Sequence, residues 1–426
     1  MTRAPTPDGV LRTYVALTLL STLASSLIWG INTLFLLDAG LSVTQAFAAN
    51  AFFTAGEVLF EVPTGVVADT AGRRTSYLLG AATLLASTLL YLAMWRIHGP
   101  FWAWAASSML LGLGFTFFSG ATEAWLVDAL RATGYRGELE AAFARGQVAQ
   151  GAGMLGGTLL GGVVAQATNV GVPYALRALA LALTFLVAMT RMRDLGFTPQ
   201  RGTVREALRI IVRASVDDGF RKPPVRWAML AGAVAGGVPI FGFYAMQPYL
   251  LQLWGEPSSY AVAGVAAALV ALAQIGGGWL AALVRRVFRR RTSALLATTV
   301  ASAVLLAGMG LSTRFGAVLA LFAAWGVAWA AAYPVRQAYL NDLIPSAQRA
   351  TVLSFDNLLA SAGGAATQPV LGRAADVWGY PISYVLAAGV EALSLPLLWL
   401  ARRERAASDA TDAPSVTAAE GEQAPE

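Results

Sequence analysis

The sequence has no cysteine, a single histidine (His98) and a single lysine (Lys222). Without cysteine there are no disulfides and no thiolate metal ligands. His98 is expected in an outer loop, so no histidine-based triad can be assembled. Lys222 is followed by Pro223 and has no glycine-rich loop, which excludes a phosphate-binding loop. Enzyme and ATPase readings are therefore poor, and no cofactor or metal site is expected. Charge is scarce as well, at 13% of the 426 residues, about half the share of a soluble domain. Apolar residues make up 57%, and the mean hydropathy is +0.59. They come in blocks of about 20 residues or more, the length that crosses roughly 30 Å of hydrocarbon as a helix. Such a chain is a polytopic all-α membrane protein whose first partner is the lipid bilayer.

Twelve blocks can be drawn, at 13–37, 42–68, 74–95, 101–127, 140–166, 172–192, 225–254, 258–284, 292–312, 315–341, 347–372 and 380–401. The run after Arg12 is too long for a signal-peptide core and is expected to be a retained first helix. With the N-terminus inside, all but five of the 30 Lys and Arg residues fall at cytoplasmic ends or tails. The exceptions are Arg96, Arg177, Arg314, Arg336 and Arg373. The net charge of +6 thus follows the positive-inside rule and does not point to nucleic acid. Both termini are expected in the cytoplasm.

The longest connection divides the chain into a six-helix bundle at 1–192, a cytoplasmic linker at 193–224 and a second six-helix bundle at 225–403. Within the linker, Val204, Leu208, Ile211 and Val212 share one helical face and Arg205, Arg209 and Arg213 another, the pattern of an interfacial amphipathic helix. The tail at 404–426 is rich in Ala, Ser, Asp, Glu and Pro and is expected to be disordered. The halves repeat each other. Arg73-Arg74-Thr75-Ser76 recurs as Arg290-Arg291-Thr292-Ser293, and Ala124-Trp125-Leu126-Val127-Asp128 recurs as Ala338-Tyr339-Leu340-Asn341-Asp342. Parallel repeats of this kind mark transporters whose halves rock about a midplane site.

The stretch Gly65, Asp69, Gly72, Arg73 and Arg74 resembles the signature loop of the major facilitator superfamily, G-x-x-x-D-x-x-G-R-[RK], and the span 13–401 fits that family's twelve-helix plan. The resemblance implies a cytoplasmic gate. In it Gly65 lets helices approach closely, and Asp69 pairs with arginines and a helix N-terminus. Asp128, Arg290, Arg291 and Asp342 are expected in the same latch. The second copy of the loop has Ala282 where an aspartate would stand, which biases the gate to the N-terminal half. Gly151 to Gly157 match G-x-G-x-x-G, but no strand precedes them. Gly153, Gly157 and Gly161 instead form a tandem G-x-x-x-G packing face. That face falls on helix five, where antiporters of the family carry a glycine-rich motif; the proline usual there is absent. Ser108 stands where many proton-coupled drug exporters have an arginine ahead of Gly112 and Gly114.

Glu57 and Glu61 lie one turn apart on the second helix, with Glu57 near the bilayer centre. Acids at that depth face a cavity or a partner, and a glutamate there can exchange a proton as access alternates. Glu57, Glu61 and Glu123 are the proton-coupling candidates, with satisfied structural acids as the alternative. Repeat symmetry sets Glu123 opposite Arg336, as an ion-pair gate or a static pair. Trp29, Asn32, Gln150, Tyr244, Gln247, Arg336, Asp356 and Gln368 are candidates for the substrate cavity. Together these features indicate a monomeric secondary transporter of a bacterial inner membrane. It would exchange protons for amphipathic small molecules, similar to the family's drug:proton antiporter branch. Nutrient uptake by the same fold, and a receptor or assembly subunit without turnover, are the alternatives.

Overall fold

In the computed structural model, which describes residues 6–199, 203–344, 349–406 and 409–410, the apolar blocks are helices. Among the described residues there is no strand, only an isolated bridge between Arg290 and Ala410. The first half consists of α1 (Pro7–Ser26), α2 (Asn32–Asp38), α3 (Val43–Ala71), α4 (Arg73–Ile97), α5 (Phe101–Thr116), α6 (Ala121–Ala132), α7 (Leu139–Ala167) and α8 (Gly171–Arg191). Local sequence sets their ends. The Thr6 hydroxyl accepts from the Gly9 N–H to start α1, and Ser42 with Gln45 closes a reciprocal capping box on α3. Gly72, at φ 106°, supplies the positive φ that ends α3 and lets α4 begin at the next residue.

The linker contributes α9 (Val204–Ala214) and a π-helical turn (Ser215–Phe220). Arg205, Arg209 and Arg213 are exposed on α9, and the side chain of Val212 lies outside the described ones. The second half comprises α10 (Pro223–Ala235), α11 (Val238–Trp254), α12 (Tyr260–Val287), α13 (Arg291–Leu311), α14 (Phe315–Leu343), α15 (Arg349–Leu393) and α16 (Leu395–Arg403). α15 is a folded pair of helices, turned at Gly379 with φ 82°. Among the described residues, nine stretches are long and apolar enough to cross a membrane. The last of these, Thr351–Arg403, has 53 residues, roughly 80 Å of helix and more than two bilayer thicknesses.

Four expected blocks are interrupted. The first splits between α1 and α2, the fourth at Gly120 with φ 67°, the seventh at Gly236 and Gly237, and the twelfth at Ser394. Discontinuous helices are where membrane transporters expose backbone groups to a cavity.

The chain forms two compact units. One is Met1–Ala207 with Met246–Ala268; the other is Leu208–Ala245 with Leu269–Glu426. In the first, the tandem glycines of α7 lie on α1. Gly153 meets Leu19 and Leu23, Gly157 meets Ser26, and Gly161 meets Leu27; Ser26 Oγ also donates to the Gly153 carbonyl at 2.9 Å. Small residues allow this backbone approach. An aromatic cluster centres on Phe35, stacked on Tyr174 at 3.8 Å between centroids. Segment 246–268 belongs to this unit because Gly264 packs on Gly30 and Gly162. In the second unit Gly363 of α15 sits on Ala233 of α10, the same contact as Gly153 on Leu23 displaced by 210 positions in both members.

Candidate functional site

The signature loop is tied down at its α4 side. Arg73 Nη1 pairs with Asp69 Oδ1 at 2.7 Å, one turn earlier. The Arg74 N–H donates to Asp194 Oδ1 at 2.8 Å, and its Nη2 donates to the Met189 carbonyl at 2.9 Å. Asp194, which follows α8, therefore caps α4. An anion is favourable there because the first N–H groups of a helix lack intrahelical partners. Trp125 Nε1 fixes the same segment by donating to the Arg193 carbonyl at 2.7 Å. Gly65 makes no close approach; a Cβ added there meets nothing within 4 Å. Asp128 is half-buried on α6.

The second copy of the loop is built alike without an acid of its own. Arg291 Nη1 pairs with Asp342 Oδ2 at 2.6 Å. The Thr292 N–H and hydroxyl donate to Asp409 at 2.8 and 2.9 Å, and Arg290 forms the isolated bridge. Asp409, buried at 4% exposure, holds part of the tail in place. Residues 407–408 and 411–426, where disorder is expected, lie outside the described residues, as does the side chain of Ala282.

Among the acids, Glu61 Oε1 accepts from Ser119 Oγ at 2.8 Å, at the break between α5 and α6. Glu57 sits one turn away on α3, where Gly112 packs on the adjacent backbone. No described cation pairs with either glutamate. Glu123 is exposed in the first turn of α6, a position created by the break, where the helix dipole favours an acid. Its proposed partner Arg336 finds a counter-ion within its own unit. Nη1 and Nη2 each donate to Asp356 at 2.7 Å, a bidentate pair.

The cavity candidates divide by burial. Asn32, Gln247, Asp356 and Gln368 are buried. Asn32 accepts from the Tyr174 hydroxyl at 2.8 Å and donates to Asn50. Gln247 serves the gap between α1 and α2. Its Oε1 accepts from the Thr33 N–H at 3.0 Å, and its Nε2 donates to the Trp29 carbonyl at 2.6 Å. A side chain thereby replaces the helical bonds lost at the break. Trp29, Tyr244 and Arg336 are half-buried and Gln150 is exposed.

Two more ionisable residues, absent from the candidates, lie within the helices. Arg177 is 1% exposed; its Nε donates to Thr88 Oγ1 at 3.0 Å, and its Nη1 to the Ala24 and Ser25 carbonyls at the end of α1. Glu391 of α15 lines a cavity in the second unit. Both stand in apolar blocks, where any charge is a signal.

A chain of apolar helices with interrupted spans, internal acids and a charged loop between α3 and α4 is a polytopic membrane protein of transporter architecture. A sequence model of the Major Facilitator Superfamily matches residues 14–313 and 259–422, and the chain belongs to that family. No curated protein sequence matches it. Three similar solved structures share its fold. Nucleoside transporter NupG is 10% identical, with a TM-score of 0.73 over 91% of this chain and 99% of that one. Peptide transporter POT is 15% identical, with a TM-score of 0.71 over 92% and 94%. The POT family transporter PepTSo is 12% identical, with a TM-score of 0.69 over 94% and 99%.

Proposed function

We propose that the chain is a proton-coupled secondary transporter of small amphipathic solutes, with twelve membrane crossings and both termini on the cytoplasmic face of a bacterial inner membrane. The topology is supported by the positive-inside bias and by the length of Thr351–Arg403, enough for two crossings. One observation carries the coupling: Glu61 and Glu57 lie in a membrane-length helix, and Glu61 is bonded to the interruption between α5 and α6. Gain or loss of a proton at Glu61 alters that bond, and with it the stability of the break. Ionisation is thereby linked to helix geometry, the link a coupled carrier requires.

Export, as in the drug:proton antiporter branch, is the first reading. Uptake is the second, favoured by the shared fold of a nucleoside transporter and a peptide transporter. Purified protein in liposomes separates them. An antiporter accumulates solute when the lumen is acid, whereas a symporter accumulates it when the outside is acid. Equal solute levels under either gradient would remove coupled transport altogether.

A further inference from the structure

A half-open cavity of about 330 Å3 lies in the second unit, walled by α10, α11, α13, α14, α15 and α16. That volume falls at the lower end of small-ligand sites, roughly 300–1,000 Å3. Trp329 and Tyr333, one turn apart on α14 with centroids 6.0 Å apart, form an aromatic wall. Facing side chains include Ser302, Arg336 and Glu391.

The charges on these walls do not balance. Arg336 is neutralised by its bidentate bond to Asp356, which is 1% exposed. Glu391 has no described cation as a partner. Its neighbour is the Ser302 hydroxyl, which accepts from Trp325 Nε1 at 3.0 Å. With that lone pair engaged, Ser302 has its one proton left to give to Glu391. A carboxylate has about four acceptor positions, so a single donor leaves most of its capacity facing the cavity. An internal acid with no counter-charge is costly, and a cationic guest removes that cost.

We propose that this cavity binds an organic monocation, a protonated amine on a compact apolar body, with Glu391 as its counter-charge. The ammonium sits beside Glu391 and Ser302, and the body lies along Trp329 and Tyr333, whose ring faces also favour a cation. Anions are rejected, because the cavity's one guanidinium is already committed to Asp356. The site lies within one bundle, and binding there is independent of whether the chain moves solute.

The test is equilibrium binding of phenethylamine to the full-length protein in lipid nanodiscs, by calorimetry without any gradient. Saturable binding is expected in the wild type, at least tenfold weaker in Glu391→Gln and absent for 2-phenylethanol and 3-phenylpropionate. No saturable binding to the wild type, equal binding of the neutral alcohol, or unchanged affinity in Glu391→Gln would each overturn the proposal. If Glu391→Gln is not monodisperse, Ala328→Phe fills the cavity from α14 and leaves the acid in place. Wild-type affinity in that variant overturns the proposal equally. Binding is read without a gradient, so its loss is distinguishable from failure of transport.

Discussion

At one matching position of the repeat each unit sets an ionisable side chain against a hydroxyl, and the two are opposite in sign, a buried arginine in the first and a half-buried glutamate in the second. In the first unit Arg177 donates to Thr88; in the second Glu391 lies against Ser302. Both members of the pair are displaced by 214 residues. The surroundings differ accordingly. Arg177 is filled in by the carbonyls that end α1, whereas Glu391 faces a cavity. By contrast, the caps agree in sign, with Asp194 on α4 and Asp409 on α13. Orphan N–H groups exist at every helix start and always call for an acceptor, so that feature survives in both copies. A buried side chain's charge answers only to its local partners and is free to diverge.

The strongest way to break this comparison is to copy one unit into the other. Arg177→Glu sets a carboxylate against the Ala24 and Ser25 carbonyls and should cost about 5 kcal/mol or prevent folding. Glu391→Gln keeps a hydrogen-bonding group for Ser302 and should change stability by less than about 1 kcal/mol. Thermal unfolding of purified protein measures both, and equal losses would refute the distinction between a filled site and an open one. Next in size is Asp356→Asn, which leaves Arg336 charged without its counter-ion. A loss of about 3 kcal/mol is expected, and a silent variant would mean that the pair carries no weight.

The caps come third. Asp409→Ala should cost about 2 kcal/mol and Asp194→Ala about 1 kcal/mol, since only the former is buried. Trypsin should also cut faster at Arg405 in the Asp409 variant. Protection unchanged from wild type would show that the tail is held by something other than this cap. The smallest effect is expected for Gly65→Ala, within about 0.5 kcal/mol, because the added methyl enters open space. Lost transport in a variant of normal stability would assign Gly65 a close contact in another conformational state.

Class and repeat were legible because both are encoded in spacing. Apolar length marks spans, and Gly153, Gly157 and Gly161 at four-residue intervals mark a helix contact, found on α1. The interruptions were not legible. Nothing between Leu27 and Ile31 is a strong breaker apart from Gly30, and the bonds that stabilise the gap come from Gln247, more than 200 residues away. Glu123 consequently looked like a mid-helix acid although it opens α6. Asp409 was hidden by a tail composition typical of disorder. Glu391 is not legible from the repeat, because its counterpart Arg177 has the opposite sign.

The central claim is that ionisation of the α3 acids drives transport, and proton exchange on solute binding tests it most directly. Weakly buffered, detergent-solubilised protein is titrated with a transported solute while pH is recorded. The account predicts proton release from the wild type if the chain exports, or uptake if it imports, and neither from Glu57→Gln/Glu61→Gln. Proton exchange of wild-type size in that double variant, with uphill transport intact, would contradict it.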